Sequence, residues 1–403
     1  MSPALVDQIG LDGRLLTGAD ARLSKRDKER LLLGELPNAT AEKFAGVDSV
    51  RFRDQILFMK QVTYLGSPWP AFKKRIQIPK KWLAAHQQAL ADGLTPRFVG
   101  IYRHGDVTIF VDFDPSTYVL RKANNSAAHV STNDLYQAQT LGAFSREDRN
   151  GNRLTSVPSD QLADYLLGRA QTVPPQVEAF SRFNSEFLAH DRTEALDAIR
   201  EMYDASWPDC FQGEWAGFYL EFRLDRFLRE NAFTPDIEFQ RVKTKGAFDY
   251  DVVFRDHGRV DHYGDLKASD IKKTESPGND AADIRCCVEA FGRFWYVLYE
   301  HETWHGRTDE DRPTVAWNDW RRSVGGYAKG KTKTYNPLTY ASRFKSAVRF
   351  SKMSILEINE ANFGMALGDF RQGHQPGGAA RALKVMIKKR NIENFLIYSE
   401  SRD

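Results

Sequence analysis

Asp251 stands within the run Phe248-Asp249-Tyr250-Asp251-Val252-Val253-Phe254, and Asp265 and Lys267 stand within His262-Tyr263-Gly264-Asp265-Leu266-Lys267-Ala268. Each run sets an acidic residue among aromatic and β-branched neighbours, which is strand composition, and the polar stretch between them carries Gly258. The two runs therefore predict a β-hairpin with a carboxylate on each arm. If Asp251 faces Asp265, the register centres on Gly258. That calls for a loop of odd length, with Gly258 left-handed in a three-residue turn with a bulge. Lys267, two residues beyond Asp265, shares its face. Two carboxylates at one spot repel and lose hydration, so their apolar neighbours require a compensating charge. A divalent cation supplies it. Oxygen-only ligands suit magnesium, which takes one or two carboxylates, several waters and a substrate phosphate. Lys267 is then placed to orient a water for attack on phosphorus.

The set Asp251, then Asp265-Leu266-Lys267 on the next strand, resembles the PD-(D/E)xK nuclease superfamily, and type II restriction endonucleases in particular. Tyr250 occupies the position of the motif's proline. The resemblance covers roughly residues 205 to 403 and implies a further acidic residue on a helix ahead of the hairpin. Gly213 to Leu228 reads as that helix, with Phe218, Tyr219 and Phe222 on an apolar stripe. Glu214 and Glu221 lie seven residues apart and share a face, so either could complete the site; Glu221, flanked by Leu220 and Phe222, is favoured.

The chain has 403 residues, 41% of them hydrophobic and 28% charged, which is ordinary for a globular protein of two or three domains. No apolar run reaches the 18 or so residues of a membrane span. Met1 to Asp20 lacks the pattern of a secretory signal. Cys210, Cys286 and Cys287 are odd in number and lack zinc spacing, which reads as buried thiols in a reducing cytoplasm. The net charge of +3 hides an uneven distribution: Arg321 to Lys352 holds nine Lys or Arg and no Asp or Glu, interleaved with aromatic residues. Such a run favours a polyanion partner, and Lys329, Lys331, Lys333, Arg343 and Lys345 are its candidate phosphate contacts.

Residues 1–44 suggest a helical segment, with Ser24 capping a helix that runs through Leu33. Residues 45–172 read as a β-rich DNA-recognition domain. Its strands are expected at Ile56–Leu65, Arg75–Ile78, Phe98–Tyr102, Val107–Phe113 and Tyr118–Leu120, with a turn at His104-Gly105-Asp106 and a helix over Lys80–Leu90. Lys73, Lys74 and Arg75 form a basic cluster there, and Asn124 to Asn133 a polar stretch suited to bases or phosphates. Val173-Pro174-Pro175 marks a domain boundary. Residues 177–403 then form the nuclease-like domain: helices over Gln176–Tyr203, the Glu221 helix, the hairpin, an apolar helix over Asp280–His301, and strands at Lys352–Ile358 and Phe395–Tyr398.

Two strings spell other chemistries. His301-Glu302-Thr303-Trp304-His305 fits the HExxH zinc-peptidase pattern, which needs a helix to bring both imidazoles to one face; Gly306 and Pro313 argue that a helix stops there. Gly325 to Thr332 fits a P-loop string, but neither flank supplies the strand before it or the helix after it.

The fold class expected is α/β: a C-terminal mixed-sheet, restriction-endonuclease-like core flanked by helices, with a β-rich N-terminal domain. The expected function is a cytoplasmic, Mg2+-dependent, sequence-specific double-stranded DNA endonuclease. Asp251, Asp265 and Glu221 are its metal ligands and Lys267 its water-positioning residue. A homodimer would cut both strands, and a cognate DNA methyltransferase is implied in the host. A zinc metallopeptidase using His301 and His305, or a DNA-binding protein that does not cleave, are the alternatives.

Overall fold

The computed structural model describes residues 4–118, 125–148, 150–208, 210, 213–240, 250–305, 312–325, 344–368 and 382–402. The chain divides into two compact units. The break falls between Pro174 and Pro175, where two successive prolines fix φ and remove two amide donors. One unit comprises Met1–Pro174, Glu360–Gly364 and Asn391–Leu396; the other comprises Pro175–Asn359, Met365–Arg390 and Ile397–Asp403. The C-terminal stretch is thus not one contiguous domain, since two short segments of it return to the first unit.

In chain order the first unit runs β1 (Val6–Ile9), β2 (Leu15–Gly18), α1 (Lys25–Glu35), β3 (Thr40–Phe44), β4 (Val47–Phe52), β5 (Gln55–Gln61), β6 (Thr63–Tyr64), β7 (Lys73–Pro79), α2 (Lys81–Ala91), β8 (Thr95–His104), β9 (Val107–Phe113), α3 (Pro115–Tyr118), β10 (Asn125–Ser131), α4 (Thr132–Leu141), β11 (Phe144–Glu147), β12 (Arg153–Pro158) and α5 (Leu162–Leu166). Its centre is a seven-stranded sheet in the order β11-β12-β9-β8-β5-β4-β3. Only β5 and β8 pair in parallel there. Strand periodicity sends neighbouring residues to opposite faces. Phe58 and Phe98 pack with Trp82 and Ala85 of α2, while Leu57 and Val99 pack with Leu32 of α1 and Leu162 of α5.

Helix α1 begins as the sequence predicts, with Ser24 and Asp27 forming a reciprocal capping box. The rest of the described residues up to 44 is not helical: β1 and β2 form a hairpin and β3 an edge strand. All three strands are short, and β2 and β3 are mostly exposed while β1 is mostly buried, so their sequence shows little apolar alternation. Tyr118 ends a short helix instead of starting a strand, because Asp114 Oδ1 accepts from the amide and hydroxyl of Ser116 and Pro115 occupies the first helical position. The polar stretch beyond Asn124 is strand β10 leading into α4, whose Ser131 and Asp134 form a second capping box.

The second unit runs α6 (Gln176–Phe187), β13 (Thr193–Glu194), α7 (Ala195–Asp204), α8 (Trp215–Glu230), β14 (Ile237–Phe239), β15 (Val252–Asp256), β16 (Arg259–Asp270), β17 (Glu275–Asp280), α9 (Ala281–Phe291), β18 (Arg293–His305), α10 (Arg312–Ser323), β19 (Lys345–Asn359), α11 (Phe363–Ala366), β20 (Lys384–Lys388) and β21 (Leu396–Ser401). The main sheet has the order β13-β19-β18-β16-β15-β14, with β21 also on β19. It is mixed: β14, β15 and β16 form an antiparallel meander, and β16 then pairs in parallel with β18. A parallel pair needs a crossover, and α9 lies within it. The apolar run expected as one helix over Asp280–His301 is therefore two elements. Gly292, at φ +77°, closes α9 in the left-handed conformation, and the aromatic and β-branched residues after it form the strand. Among the described residues no helix is long and apolar enough to cross a membrane. Cys210 and Cys287 are buried thiols as expected, whereas Cys286 is exposed.

Gly264 holds the centre of this sheet together. A Cβ there would lie 2.7 Å from the Phe254 ring and 2.8 Å from the Trp295 carbonyl oxygen. Gly264→Ala should therefore overpack the β15-β16-β18 seam and cost about 1–3 kcal/mol in chemical denaturation. A variant as stable as the parent would show that this close approach is not a constraint.

Candidate active site

The hairpin is β15 and β16, and its register is read from Val252 opposite Gly264. Continued by one residue, that register sets Asp251 across from Asp265. The Asp251 amide donates to the Gly264 carbonyl at 3.0 Å and its carbonyl accepts from Gln240 at 2.8 Å, so its backbone is held from both sides. The turn differs from expectation. Asp256 pairs with Arg259, leaving a two-residue loop of His257 (φ 46°) and Gly258 (φ 79°), both left-handed as in a type I′ turn. The extra residue that makes the count odd is Asp261, where the register shifts between the Phe254–His262 and Arg255–Val260 pairs. Its carboxylate, which accepts from His262 Nδ1 at 2.8 Å and pairs with Arg293, is lowered to about 2 chiefly by the His262 bond.

Asp251 and Asp265 are 7% and 1% exposed. Asp251 Oδ2 accepts the Leu266 amide at 3.0 Å, and Lys267 Nζ pairs with Asp265 Oδ2. The Asp251 carboxyl is held well above the usual carboxylate range. Burial is the main cause; the Asp265 charge, a hydrogen bond shared with Asp265 and the Glu221 charge add to it, and Lys267 opposes it. Glu221 lies on α8, which packs against β16 and β14. Glu214, the other candidate, is at the N-cap of α8, is mostly exposed and pairs with Lys345 at 3.4 Å. The structure thus gathers Asp251, Asp265, Lys267 and the field of Glu221. Among the described residues no three His, Cys, Asp or Glu side chains converge as a ready metal cluster. The fit to magnesium rests on the two hairpin carboxylates, a number that ion accepts when water and phosphate fill the remaining positions.

The candidate phosphate contacts fare unevenly. Lys329, Lys331, Lys333 and Arg343 lie outside the described residues. Lys345 is partly buried against Glu214. Lys74 is not available to a nucleic acid: its side chain is fully buried and bonded to Asp20 at 3.0 Å, because position 74 is on the inward face of β7. Lys73 and Arg75, on the other face, are partly exposed, and Lys73 lies over the Trp69 ring.

The HExxH string lies on strand β18. Four residues of strand span about 13 Å, against about 6 Å in a helix, so His301 and His305 are not arranged to share one zinc. His301 is buried against Phe350 and bonds Thr303; burial holds it neutral, lowered to about 4. Gly325 follows helix α10 rather than a strand, and the rest of the P-loop-like string lies outside the described residues.

The raised Asp251 carboxyl sets a stability test. Between the ordinary carboxyl value and its raised value, the folded chain keeps a proton that the unfolded chain has lost. Stability is therefore lost as pH rises through that window. In chelator, Asp251→Asn should unfold at a higher temperature than the parent at pH 7.5, by about 2–4 °C per kcal/mol recovered, and the difference should shrink toward pH 4. A variant no more stable than the parent at pH 7.5 would refute the charge strain.

Residues 53–166, from the turn before β5 to the end of α5, match a family model described as methylase-associated X1. No curated protein and no solved structure matches the chain.

Proposed function

We propose that this protein is a magnesium-dependent endonuclease of double-stranded DNA, of the restriction type. The match to a family named for its association with methylases points to a restriction-modification setting. The observation that carries the nuclease reading is the buried Asp251–Asp265 pair with Lys267 beside it on adjoining strands of a mixed sheet. Three carboxylates, Asp251, Asp265 and Glu221, stand against Lys267, an excess of two negative charges when all are ionised. A divalent cation matches that excess, and bound there it would stabilise negative charge on phosphate oxygens. The order of helix, hairpin, crossover helix and further strand agrees with the mixed α/β core that the resemblance implies.

In this reading Asp251 and Asp265 present oxygens to the cation and Glu221 orients water from α8. Lys267 gives its ammonium to the attacking water or to the phosphate. A single site cuts one strand, so a two-fold homodimer on a palindromic target would cut both. The first unit would recognise the target, and the methylase implied by the family match would protect host DNA.

Incubation of the full chain with several unmethylated plasmids and magnesium should give discrete fragments. Asp251→Ala, Asp265→Ala and Lys267→Ala should each slow cleavage by about 100-fold or more while retaining DNA affinity in calcium buffer. Magnesium should also raise the unfolding temperature of the parent and not of Asp265→Ala. Specific binding with no cleavage of any plasmid would instead establish a DNA-binding protein, and a variant that cuts normally would remove that residue from the site.

A further inference from the structure

The first unit contains a cleft of about 520 Å3, a size that suits a small organic ligand. Asp112, on strand β9, lines it and is 6% exposed. One carboxylate oxygen is fully engaged: Oδ2 accepts from Arg97 Nη1 at 2.7 Å and from the Tyr165 hydroxyl at 2.8 Å. The other, Oδ1, is buried with no partner among the described residues. A second buried atom in the same lining, His86 Nδ1, also lacks one. An unmatched carboxylate oxygen costs free energy in a folded protein unless a ligand donor completes it. The charge around the cleft is graded. The acceptor is inside, whereas Arg97 is partly exposed and Arg153 exposed. The Tyr165 ring and exposed Leu90 add apolar surface. A ligand matched to this arrangement is flat, carries an N–H donor at one end and is joined to an anion at the other.

We propose that the cleft takes cytosine or adenine, the nucleobases whose pairing edge has an amine where thymine and guanine have a carbonyl, unstacked from DNA, with that amine donating to Asp112 Oδ1 and the adjoining phosphate meeting Arg153. A carboxylate accepts from such an amine but offers nothing to the carbonyl that thymine has in its place. Enzymes and readers that extrude a base recognise it in this way, by its pairing edge within a closed site. The inference rests on the DNA-binding reading but not on cleavage. Asp114 also lines the cleft, and its Oδ1 is already engaged by the Ser116 amide and hydroxyl.

The test is binding of labelled twelve-residue oligothymidylates, by the full chain in EDTA, with one central position dC, dA or dT. A single strand carries no cost of extrusion. The parent should bind the dC or dA strand at least tenfold tighter than the dT strand. Asp112→Asn, which presents a donor in place of the acceptor, should bring the three within threefold. Thr95→Trp fills the cleft from an exposed rim position without touching Asp112 and should do the same, so an unstable Asp112 variant does not decide the matter. Equal binding of all three strands by the parent, no binding to any strand while duplex DNA is bound, or a preference that survives in folded Thr95→Trp, would overturn the pocket alone; failure to bind duplex DNA as well would overturn the DNA reading beneath it.

Discussion

A buried carboxylate placed beside another carboxylate is the constraint that the second unit is built to maintain. Asp251 and Asp265 meet only because β15 and β16 pair in one register, and a slip of one residue would turn every side chain on the strand to the opposite face. Several features pin that register. The type I′ turn at His257-Gly258 sets its start, Asp261 absorbs the extra residue, and Gly264 lets the Phe254 ring and the Trp295 carbonyl approach closely. The parallel strand β18 backs the same stretch of β16, from Tyr263 opposite Phe294 to Asp270 opposite His301. The acids are therefore positioned by sheet backbone rather than by loops, which is the more exact way to hold a reacting constellation.

The surrounding polar groups are largely closed on themselves, which makes the open charge at the site stand out. His262 is sandwiched between Phe254 and Trp295, and burial lowers it to about 4, so it is neutral above that. Its Nδ1 meets Asp261, whose charge is met in turn by Arg293. Buried Glu357 accepts from the Trp295 indole and from Asn359, and Glu300 pairs with Lys389. A fold that settles these groups and leaves Asp251 strained has a reason to tolerate the strain, and functional sites are where such local conflict is expected.

The hairpin was legible because two short strands with acids at matching positions leave few registers. Gly258 and the residue count implied an odd residue, but not its location in the strand at Asp261, since bulge placement depends on what Asp261 then contacts. The division at Pro174-Pro175 could be located from the prolines themselves. The α9–β18 boundary was harder to see, because a buried helix and a buried strand are both continuously apolar; Gly292 was the one available signal. Strands β2 and β3 were hidden by the opposite problem, exposure, and β1 by its four-residue length. Lys74 shows the limit of charge counting: within Lys73-Lys74-Arg75 the strand period turns the middle cation inward to Asp20.

That inward turn bears on how the first unit could read DNA. Its other conspicuous cation, Arg146, is also buried, held by Asp134 and Glu393. Two of the strongest basic residues of this unit therefore serve its fold, and its electrostatic footprint is weaker than composition suggests. Phosphate contacts position a protein on DNA and carry no sequence information; base contacts do. A unit with modest surface charge and a buried, unmatched acceptor in a cleft is equipped for the second task more than the first. On the functions proposed above, the division of labour would be chemical: two acids and a lysine on a rigid hairpin in one unit for the phosphodiester, and a desolvated acceptor in the other for the base. Each can then vary without disturbing the other, since they share no side chain.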